Sequence, residues 1–198
     1  MVFTGAFVYL QWAPESTFGT AAANIATTAG NDFGFEQKIT SWSFTNNKIP
    51  LSQLNDVRVK TYAYGQTRGS LSLDFVLSDP FFIELIGFKA GTKTGCASPY
   101  TYSWILDTTL GTKTIPSFTT QVGMCAGACN GIVRTMAGGI VNTANISVSI
   151  GELARVTLDT NYANESLTTT LDACLNPMCV ADFIPMTFAH ATLAADFD

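Results

Sequence analysis

Charged residues are scarce in this chain of 198 residues. They make up 13% of it, about half of the roughly 25% that is usual for soluble domains. Hydrophobic residues reach 47% and aromatic residues 12%. Because a free monomer normally covers its surface with charged side chains, the shortage predicts that much of the surface is buried against other protein. The length fits one domain with one substantial core.

Long apolar runs are also missing. No window approaches the roughly 20 continuous apolar residues of a membrane-spanning helix. The start, MVFTGAFVYLQWAPESTFGT, lacks the basic end and the small-residue cleavage site of a signal peptide. The apolar segments are short, and the aromatic residues show no repeated spacing of two girdles. We therefore expect no membrane insertion.

Basic residues are few, and the ten Lys and Arg are scattered singly along the sequence. The net charge is −5 and the pI is about 4.7. Binding of nucleic acid through phosphate neutralisation needs clustered basic groups. We therefore expect DNA to meet a weakly repelling surface on this protein.

Catalytic residues do not form a recognisable set. The chain has a single histidine, His190, in a predicted terminal strand, where no Ser-His-Asp or Cys-His set can be assembled around it. There is no glycine-rich dinucleotide motif after a strand and no phosphate loop. Carboxylates lie in separate predicted strands or loops without a common motif: Asp32, Glu36, Asp74, Glu84 and Asp107. The sequence predicts no enzyme and no cofactor, and His190 is interpreted as a structural residue.

Five cysteines allow several arrangements: Cys96, Cys125, Cys129, Cys174 and Cys179. Their CxxxC and CxxxxC spacings differ from the tighter pairs of structural zinc sites, so we expect no metal. Cys125 can pair with Cys129, and Cys174 with Cys179, which leaves Cys96 odd. Pairing between the two loops fits the sequence equally well, and buried free thiols are the third arrangement.

Alternation of apolar and polar residues is the strongest local pattern. It predicts strands over 36–45, 56–64, 69–77, 100–106, 117–123, 131–139, 145–151 and 153–160. The GQTRG segment (65–69) predicts a turn that makes an antiparallel hairpin of the second and third strands. Short alternating strands with glycine-rich turns predict a mainly β fold, an antiparallel sandwich or barrel.

The period changes at SDPFFIELIGF (78–88). Ser78 or Asp79 can cap a helix, Pro80 suits its first position, and Gly87 can end it in a left-handed conformation. The segment predicts a short α-helix over about 79–87 that covers an edge or end of the β core.

The chain divides by pattern into three parts. Residues 1–35 are predicted to be an N-terminal arm and loop, 36–160 the β core, and 161–198 a C-terminal strand and arm. Within the first part, the small and polar segment 19–34 is either an arm that orders on a neighbouring subunit or a flexible loop.

The order of several segments carries a family resemblance. These segments are PESTFGT (14–20), the run from GFEQKITSWSFT to SDPFFIELIGF (34–88), PSFTTQVG (116–123) and GIVRTMAGGIVNTANISVSIGELARVTLDT (131–160). Their order and spacing resemble the tail tube proteins of tailed bacteriophages and archaeal viruses, over about residues 14–160. The cysteines and residues 161–198 have no counterpart in that family pattern.

The resemblance implies a β-sandwich subunit that joins a ring, usually a hexamer, and stacks into a tube for delivery of the viral genome. It implies as partners other copies of the chain and further tail proteins such as sheath, tape measure or terminator. DNA would pass through the lumen without specific binding. The location implied is the virion tail, assembled in the host cytoplasm. Tubes of type six secretion and contractile injection devices share this fold and give the alternative function.

The resemblance also implies that residues about 46–56 form a loop that reaches an adjacent subunit or ring. The residues proposed for this contact are Asn46, Asn47, Lys48, Ile49, Pro50, Leu51, Gln53 and Asn55. Side chains facing the lumen are expected to be small and polar or acidic, because a basic wall would retain DNA by releasing its counterions.

A β-sandwich adhesin or carbohydrate-binding module is the alternative from a different class. It would use an exposed Trp12, Trp42 or Trp104 as a platform for sugar rings. Particle size separates the two, since a tube protein forms rings or tubes and a binding module stays monomeric.

Overall fold

The computed structural model describes residues 8–23, 25, 31–52, 58–78, 80–87, 92–94, 101–103, 116–125 and 130–170. These residues form antiparallel strands and a 3₁₀ helix over Pro80–Ile86. The strands are β1 (Val8–Pro14), β2 (Asn31–Asp32), β3 (Phe35–Ser52), β4 (Val59–Val76), β5 (Thr92–Thr94), β6 (Thr101–Ser103), β7 (Phe118–Cys125), β8 (Asn130–Ser147), β9 (Arg155–Tyr162) and β10 (Asn164–Thr170). The predicted mainly β, antiparallel fold is confirmed.

Eight of the strands form a continuous sheet in the order β2-β1-β7-β8-β9-β4-β3, with β10 also paired to β8. Strand β8 joins two halves of this sheet. Up to Gly139 it pairs with β7 and β10, and from Ile140 onward it pairs with β9. The change of partner coincides with Gly138, whose φ of 72° lies in the left-handed region that glycine tolerates. Strands β5 and β6 pair separately.

The core lies between the two halves of the sheet. Phe33 is fully buried, with its ring centroid 6.0 Å from that of Trp12 in β1 and 5.7 Å from that of Phe75 in β4. Buried side chains of both halves belong to the same cluster: Leu10, Trp12, Phe118, Val122 and Met136 on one side, and Leu71, Leu73, Phe75, Val156, Leu158 and Tyr162 on the other. The two halves therefore fold as a sandwich around a shared core.

The hairpin predicted with a turn at 65–69 is wrong, because β4 runs through these residues without a break. A Cβ on Gly65 would lie 2.4 Å from the carbonyl oxygen of Asn47, and a Cβ on Gly69 would lie 2.1 Å from the ring of Tyr162. Glycine inside a strand often marks such a close approach. The hairpin is instead made by β3 and β4.

The sequence predicts a loop at 46–56, but residues 46–52 continue strand β3 instead. They pair with β4 as far as Ser52, which stands opposite Val59. In the sequence alone, Asn46, Asn47 and Pro50 indicate a segment without regular secondary structure. Strand β3 is at the end of the sheet order, and an edge strand tolerates proline because one side of it needs no ladder hydrogen bond. Gln53 and Asn55 lie outside the described residues.

The helix after β4 is a 3₁₀ helix and not the predicted α-helix. It has seven residues, and the amide of Gly87 donates to the carbonyl of Glu84 at 3.2 Å, which is the i to i+3 bond of the tighter form. Gly87 has φ of 99°, which confirms the predicted left-handed end. Leu85 of this helix is buried in the core. Within the described ranges, no helix has the length and apolar character needed to cross a membrane.

The segments on either side of the predicted core, 36–160, also contain strands, while the domain division itself stays a prediction. Residues 8–14, assigned to an arm, form an inner strand that pairs with β7. Residues 131–139 and 145–151, predicted as two strands, belong largely to the single strand β8. Residues 161–170 complete β9 and form β10, and 171–198 lie outside the described part of the chain.

Candidate assembly surfaces

One half of the sheet consists of β3, β4, β9 and the part of β8 from Ile140 onward, and we call it the half-sheet. The β3–β4 hairpin projects well beyond the rest of this half-sheet. Pairing of β4 with β9 begins at Gly69 opposite Tyr162, whereas pairing of β4 with β3 continues out to Val59. Residues 59–68 of β4 therefore extend past β9, a contour length of about 33 Å at roughly 3.3 Å per residue. We call residues 46–52 and 58–68 the distal hairpin.

Apolar side chains lie open to solvent on the distal hairpin. Ile49 and Leu51 share one face, since they stand opposite Ala63 and Thr61, and they are 55% and 46% exposed. Tyr62, 53% exposed, stands opposite Pro50 and therefore belongs to the other face. A two-stranded ribbon has little stability of its own. Its exposed apolar side chains make it a candidate contact surface.

The outer face of the same half-sheet has the opposite character. Its side chains stand in cross-strand rows, and hydroxyl pairs join Ser41 to Ser72 at 3.0 Å and Ser43 to Ser70 at 2.8 Å. The rows contain Lys38, Asp74, Thr157 and Asn145; Ser41, Ser72, Asp159 and Thr143; and Ser43, Ser70, Asn161 and Ile140. We call this surface the polar face. Apart from Ile140, the side chains in these rows are polar or charged.

Part of the charge on the polar face is paired at Arg155. Arg155 lies 2.6 Å from a carboxylate oxygen of Glu36 and 3.7 Å from one of Asp74. Glu36 and Asp74 lie in the separate strands β3 and β4, as predicted, and Arg155 of β9 lies within reach of both. The pairing leaves little positive potential to hold a polyanion at this point.

A polar and aromatic cluster fixes the root of the hairpin. The Nε1–H of Trp42 donates to the hydroxyl of Tyr162 at 2.8 Å, and that hydroxyl lies 2.9 Å from a carboxylate oxygen of Glu165. Arg134 pairs with Glu165 at 2.6 Å and lies 4.7 Å from the centroid of the Trp42 ring. The ring of Phe44 stacks on Tyr162 at 5.9 Å. Strands β3, β8, β9 and β10 are thus tied together where the distal hairpin begins.

Tyr162 is strongly perturbed by this environment. It is 3% exposed. Burial raises its pKa well above the usual range, and the hydrogen bond to the Glu165 carboxylate raises the pKa further. The neutral phenol is therefore the form that the folded protein favours.

Glu15 is a structural carboxylate that sequence reasoning missed. Its oxygens accept from the amides of Gly19 and Gly138 at 2.9 and 2.7 Å. They also accept from the hydroxyls of Ser117 and Thr119 at 2.9 and 2.7 Å. The group joins the turn after β1, the start of β7 and the bend of β8. The sequence signal for Glu15 is its position in the segment PESTFGT (14–20), but the sequence does not show which groups donate hydrogen bonds to its carboxylate.

A second exposed apolar surface lies at the turn between β8 and β9. Ile146, Val148, Ile150 and Leu153 are 47%, 41%, 84% and 36% exposed. We call residues 146–153 the β8–β9 tip. Arg155 at the start of β9 stands opposite Val76 at the end of β4, while the distal hairpin leaves from the other end of β4. The two exposed apolar surfaces are therefore at opposite ends of the half-sheet.

Apart from Cys125, the other predicted site residues are buried, half-buried or outside the described part of the chain. Trp12 is 3% exposed, and Trp42 is half-buried under Arg134, so the predicted sugar platform is wrong for both. Cys125 ends β7. Trp104, Asp107, His190 and the other four cysteines lie outside the described residues. Among the residues that the structure does describe, no three His, Cys, Asp or Glu side chains are grouped as a metal site would need.

Comparison with models of known protein families finds no match, and comparison with curated protein sequences finds none either. Solved structures do align with the chain. A chain of the anti-feeding prophage (AFP) baseplate aligns at a TM-score of 0.46 and 11% identity, covering 82% of this chain and 92% of that one. The SPP1 tail tube aligns at 0.46 and 8% identity, covering 86% and 81%. A type six secretion system protein aligns at 0.36 and 10% identity, covering 80% and 81%. Likenesses at these TM-scores and identities do not show what this chain does.

Proposed function

We propose that this protein is the structural subunit of a viral tail tube, which polymerises as stacked rings into a conduit for the genome. The observation that carries the proposal is the distal hairpin. It is built by the segment for which the sequence resemblance implies a contact with an adjacent subunit, and it presents Ile49 and Leu51 to solvent. Covering such a surface in a polymer also accounts for the low charged fraction of the chain.

The polar face is proposed as the wall of the lumen. It is lined mainly by serine, threonine and asparagine, together with Lys38, Asp74 and Asp159, and Arg155 is paired to acidic neighbours. A wall of this kind lacks the clustered cations that bind phosphates, so DNA can slide along it. The ring is proposed to be a hexamer, located in the virion tail and in contact with other tail proteins. A tube of a contractile injection or secretion device is the alternative use of the same subunit.

Electron microscopy of the purified full chain tests the proposal. We expect rings or hollow tubes whose abundance rises with protein concentration. A helical reconstruction should place the polar face towards the lumen. Monomers at every concentration tested, or tubes with a basic lumen, would contradict the proposal.

A further inference from the structure

An open pocket lies on the polar face at the point where the distal hairpin leaves the half-sheet. Its volume is about 410 Å³, within the roughly 300–1,000 Å³ that is usual for small-molecule sites. The polar side chains that line the pocket are Ser43, Thr45, Asn47, Arg68, Ser70 and Asn161. Each of them can donate a hydrogen bond, and none is a carboxylate. The pocket therefore has the chemistry of an anion site.

Cross-strand pairing brings these donors together. Thr45 stands directly opposite Arg68, and Ser43 stands opposite Ser70. Asn161 of β9 stands on the other side of Ser70. Residues two apart in a strand share a face, so the five side chains form two neighbouring rows about 7 Å apart. An anion between the rows can accept hydrogen bonds from both.

Strand β9 ends beside the pocket and leaves Arg68 open on one side. The last residue of β9 that pairs with β4 is Tyr162, opposite Gly69. The next amide, that of Ala163, donates to the carbonyl of Ala137 in β8 instead. In the described part of the chain, no strand pairs with β4 at Arg68 on this side, and the Arg68 side chain is exposed. A ligand can therefore reach its guanidinium.

The donors of the pocket have spare capacity for a ligand. Arg134 and Arg155 each lie 2.6 Å from a carboxylate oxygen, whereas no carboxylate among the described residues forms an ion pair with Arg68. The hydroxyls of Ser43 and Ser70 share a hydrogen bond of 2.8 Å, in which either can be the donor. That bond uses one of their two hydroxyl hydrogens and leaves the other to donate into the pocket.

The base of the pocket is fixed by the aromatic cluster beneath it. Gly69 is buried, and the ring of Tyr162 takes the space of a Gly69 side chain, on the face opposite to Arg68 and Ser70. The Tyr162 hydroxyl also lies 3.1 Å from the carbonyl oxygen of Ser43. Strands that are held in this way place their donors before a ligand arrives, which lowers the ordering cost of binding.

We infer that this pocket binds a phosphate group, and we call it the Arg68 site. The planar guanidinium supplies charge and two parallel N–H donors, and the hydroxyls and amides donate to the remaining oxygens. A carboxylate has only two oxygens to meet donors in two rows, so phosphate is the better match. All of the donors belong to one subunit, and the site is complete without assembly.

The phosphate has two possible sources, a free phosphate or a phosphodiester of the DNA backbone. Contacts to the backbone carry no sequence information. Firm retention of DNA needs several cationic contacts, whereas the Arg68 site offers one guanidinium. The site is therefore compatible with passage of DNA along the proposed lumen wall.

Titration of the full chain with inorganic phosphate tests the inference, at a protein concentration below that of assembly and at constant ionic strength. NMR chemical shifts of the backbone amides locate the ligand, and isothermal titration calorimetry measures the affinity. We expect saturable shifts confined to residues 43–47, 68–70 and 161.

Arg68→Gln should weaken phosphate binding about tenfold or more, because it removes charge-assisted hydrogen bonds. Arg68→Lys should retain part of the affinity, since it keeps the charge and loses the planar fork. Asn161→Ala should weaken binding about threefold, because it removes one neutral donor. Arg68 is exposed, so its substitutions should leave the circular dichroism spectrum and the free energy of unfolding unchanged.

Arg155→Gln is the matched control, because it makes the same change in charge on the same face. Arg155 stands opposite Val76, which is eight positions beyond Arg68 in β4, or about 26 Å along the strand. That separation exceeds the Debye length of about 8 Å at 0.15 M salt. The affinity of Arg155→Gln for phosphate should therefore stay within about twofold of wild type.

A short DNA duplex and acetate complete the test. Duplex binding that is lost in Arg68→Gln identifies a phosphodiester as ligand, and binding of inorganic phosphate alone identifies a free phosphate; both support the site. The inference is overturned by no saturable binding of either, by unchanged affinity in Arg68→Gln, by an equal loss in Arg155→Gln, or by equal affinity for acetate. Because unassembled subunits are used, failure of this test leaves the proposed tube intact, and failure to form tubes leaves the site intact.

Discussion

The proximal and distal parts of the β3–β4 hairpin differ although the same two strands build both. Near β9, Leu71 and Leu73 of β4 are 1% exposed and belong to the core. Beyond Gly69 the same strands expose Ile49, Leu51 and Tyr62 by about half. Apolar residues thus continue along the hairpin after the core that could bury them has ended. The proximal part stabilises the subunit, and we propose that the distal part stabilises the polymer.

The largest effect on subunit stability is expected from Leu73→Ala. Leu73 is 1% exposed, and removing such a side chain costs about 2–5 kcal/mol, because apolar burial is lost and a cavity remains. Urea denaturation of dilute protein measures the free energy of unfolding. Leu167→Ala is the matched control, since Leu167 is 61% exposed and should change stability by less than about 0.5 kcal/mol. Equal losses in the two variants would break the distinction between core and surface.

A smaller effect is expected from Tyr162→Phe at the root of the hairpin. The change removes the hydroxyl that accepts from Trp42 and lies 2.9 Å from Glu165, which should cost about 1–3 kcal/mol near neutral pH. Trp42 fluorescence in the folded state should also change, because its ring nitrogen loses a partner. No change in either measurement would show that the cluster does not hold the root.

The same variant gives a pH prediction. The pKa of Tyr162 is raised in the folded protein, so the stability it contributes is complete below the unfolded tyrosine pKa of about 10. That contribution decreases as pH rises above about 10, because the unfolded chain then releases the proton more readily. The difference in stability between wild type and Tyr162→Phe should therefore shrink above this pH. A difference that grows there would contradict the assigned direction.

The smallest effect on subunit stability is expected from Leu51→Thr on the distal hairpin. Leu51 is 46% exposed, and threonine suits a strand, so the free energy of unfolding of the monomer should change by less than about 0.5 kcal/mol. Its measurement in dilute protein separates folding from assembly. A loss as large as that of Leu73→Ala would mean that the distal hairpin is part of the subunit core.

Sequence reasoning predicted the class of fold, because alternation reports which residues share a face of a strand. It failed at 65–69 and at 46–52. Glycine and proline are common in turns, but glycine also occurs inside strands at close contacts and proline also occurs in edge strands. Gly69 makes room for the Tyr162 ring, a partner 93 positions away in sequence, and Pro50 is tolerated because β3 is an edge strand. Such causes depend on tertiary neighbours, which a local pattern does not contain. The same limit hid the partners of Glu15.

The candidate surfaces were predictable only in part. The segment 46–56 was selected by resemblance, and the structure shows its described residues as a paired strand with Ile49 and Leu51 on one face. The β8–β9 tip was not singled out, although the alternation of Ile146, Val148 and Ile150 was visible. Alternation indicates which residues share an apolar face, but it does not show where the core ends. The position of that boundary decides which of these residues are exposed to solvent.

Truncation of the hairpin tests the division between folding and assembly most directly. Thr45 and Arg68 stand directly opposite each other, so an Asn-Gly turn can replace residues 46–67 and close a shorter hairpin. The truncated protein is compared with wild type by urea denaturation and by negative-stain microscopy. We predict a subunit whose free energy of unfolding stays within about 1 kcal/mol of wild type and which forms no tubes at any concentration. Tubes of normal length from the truncated protein would contradict the account.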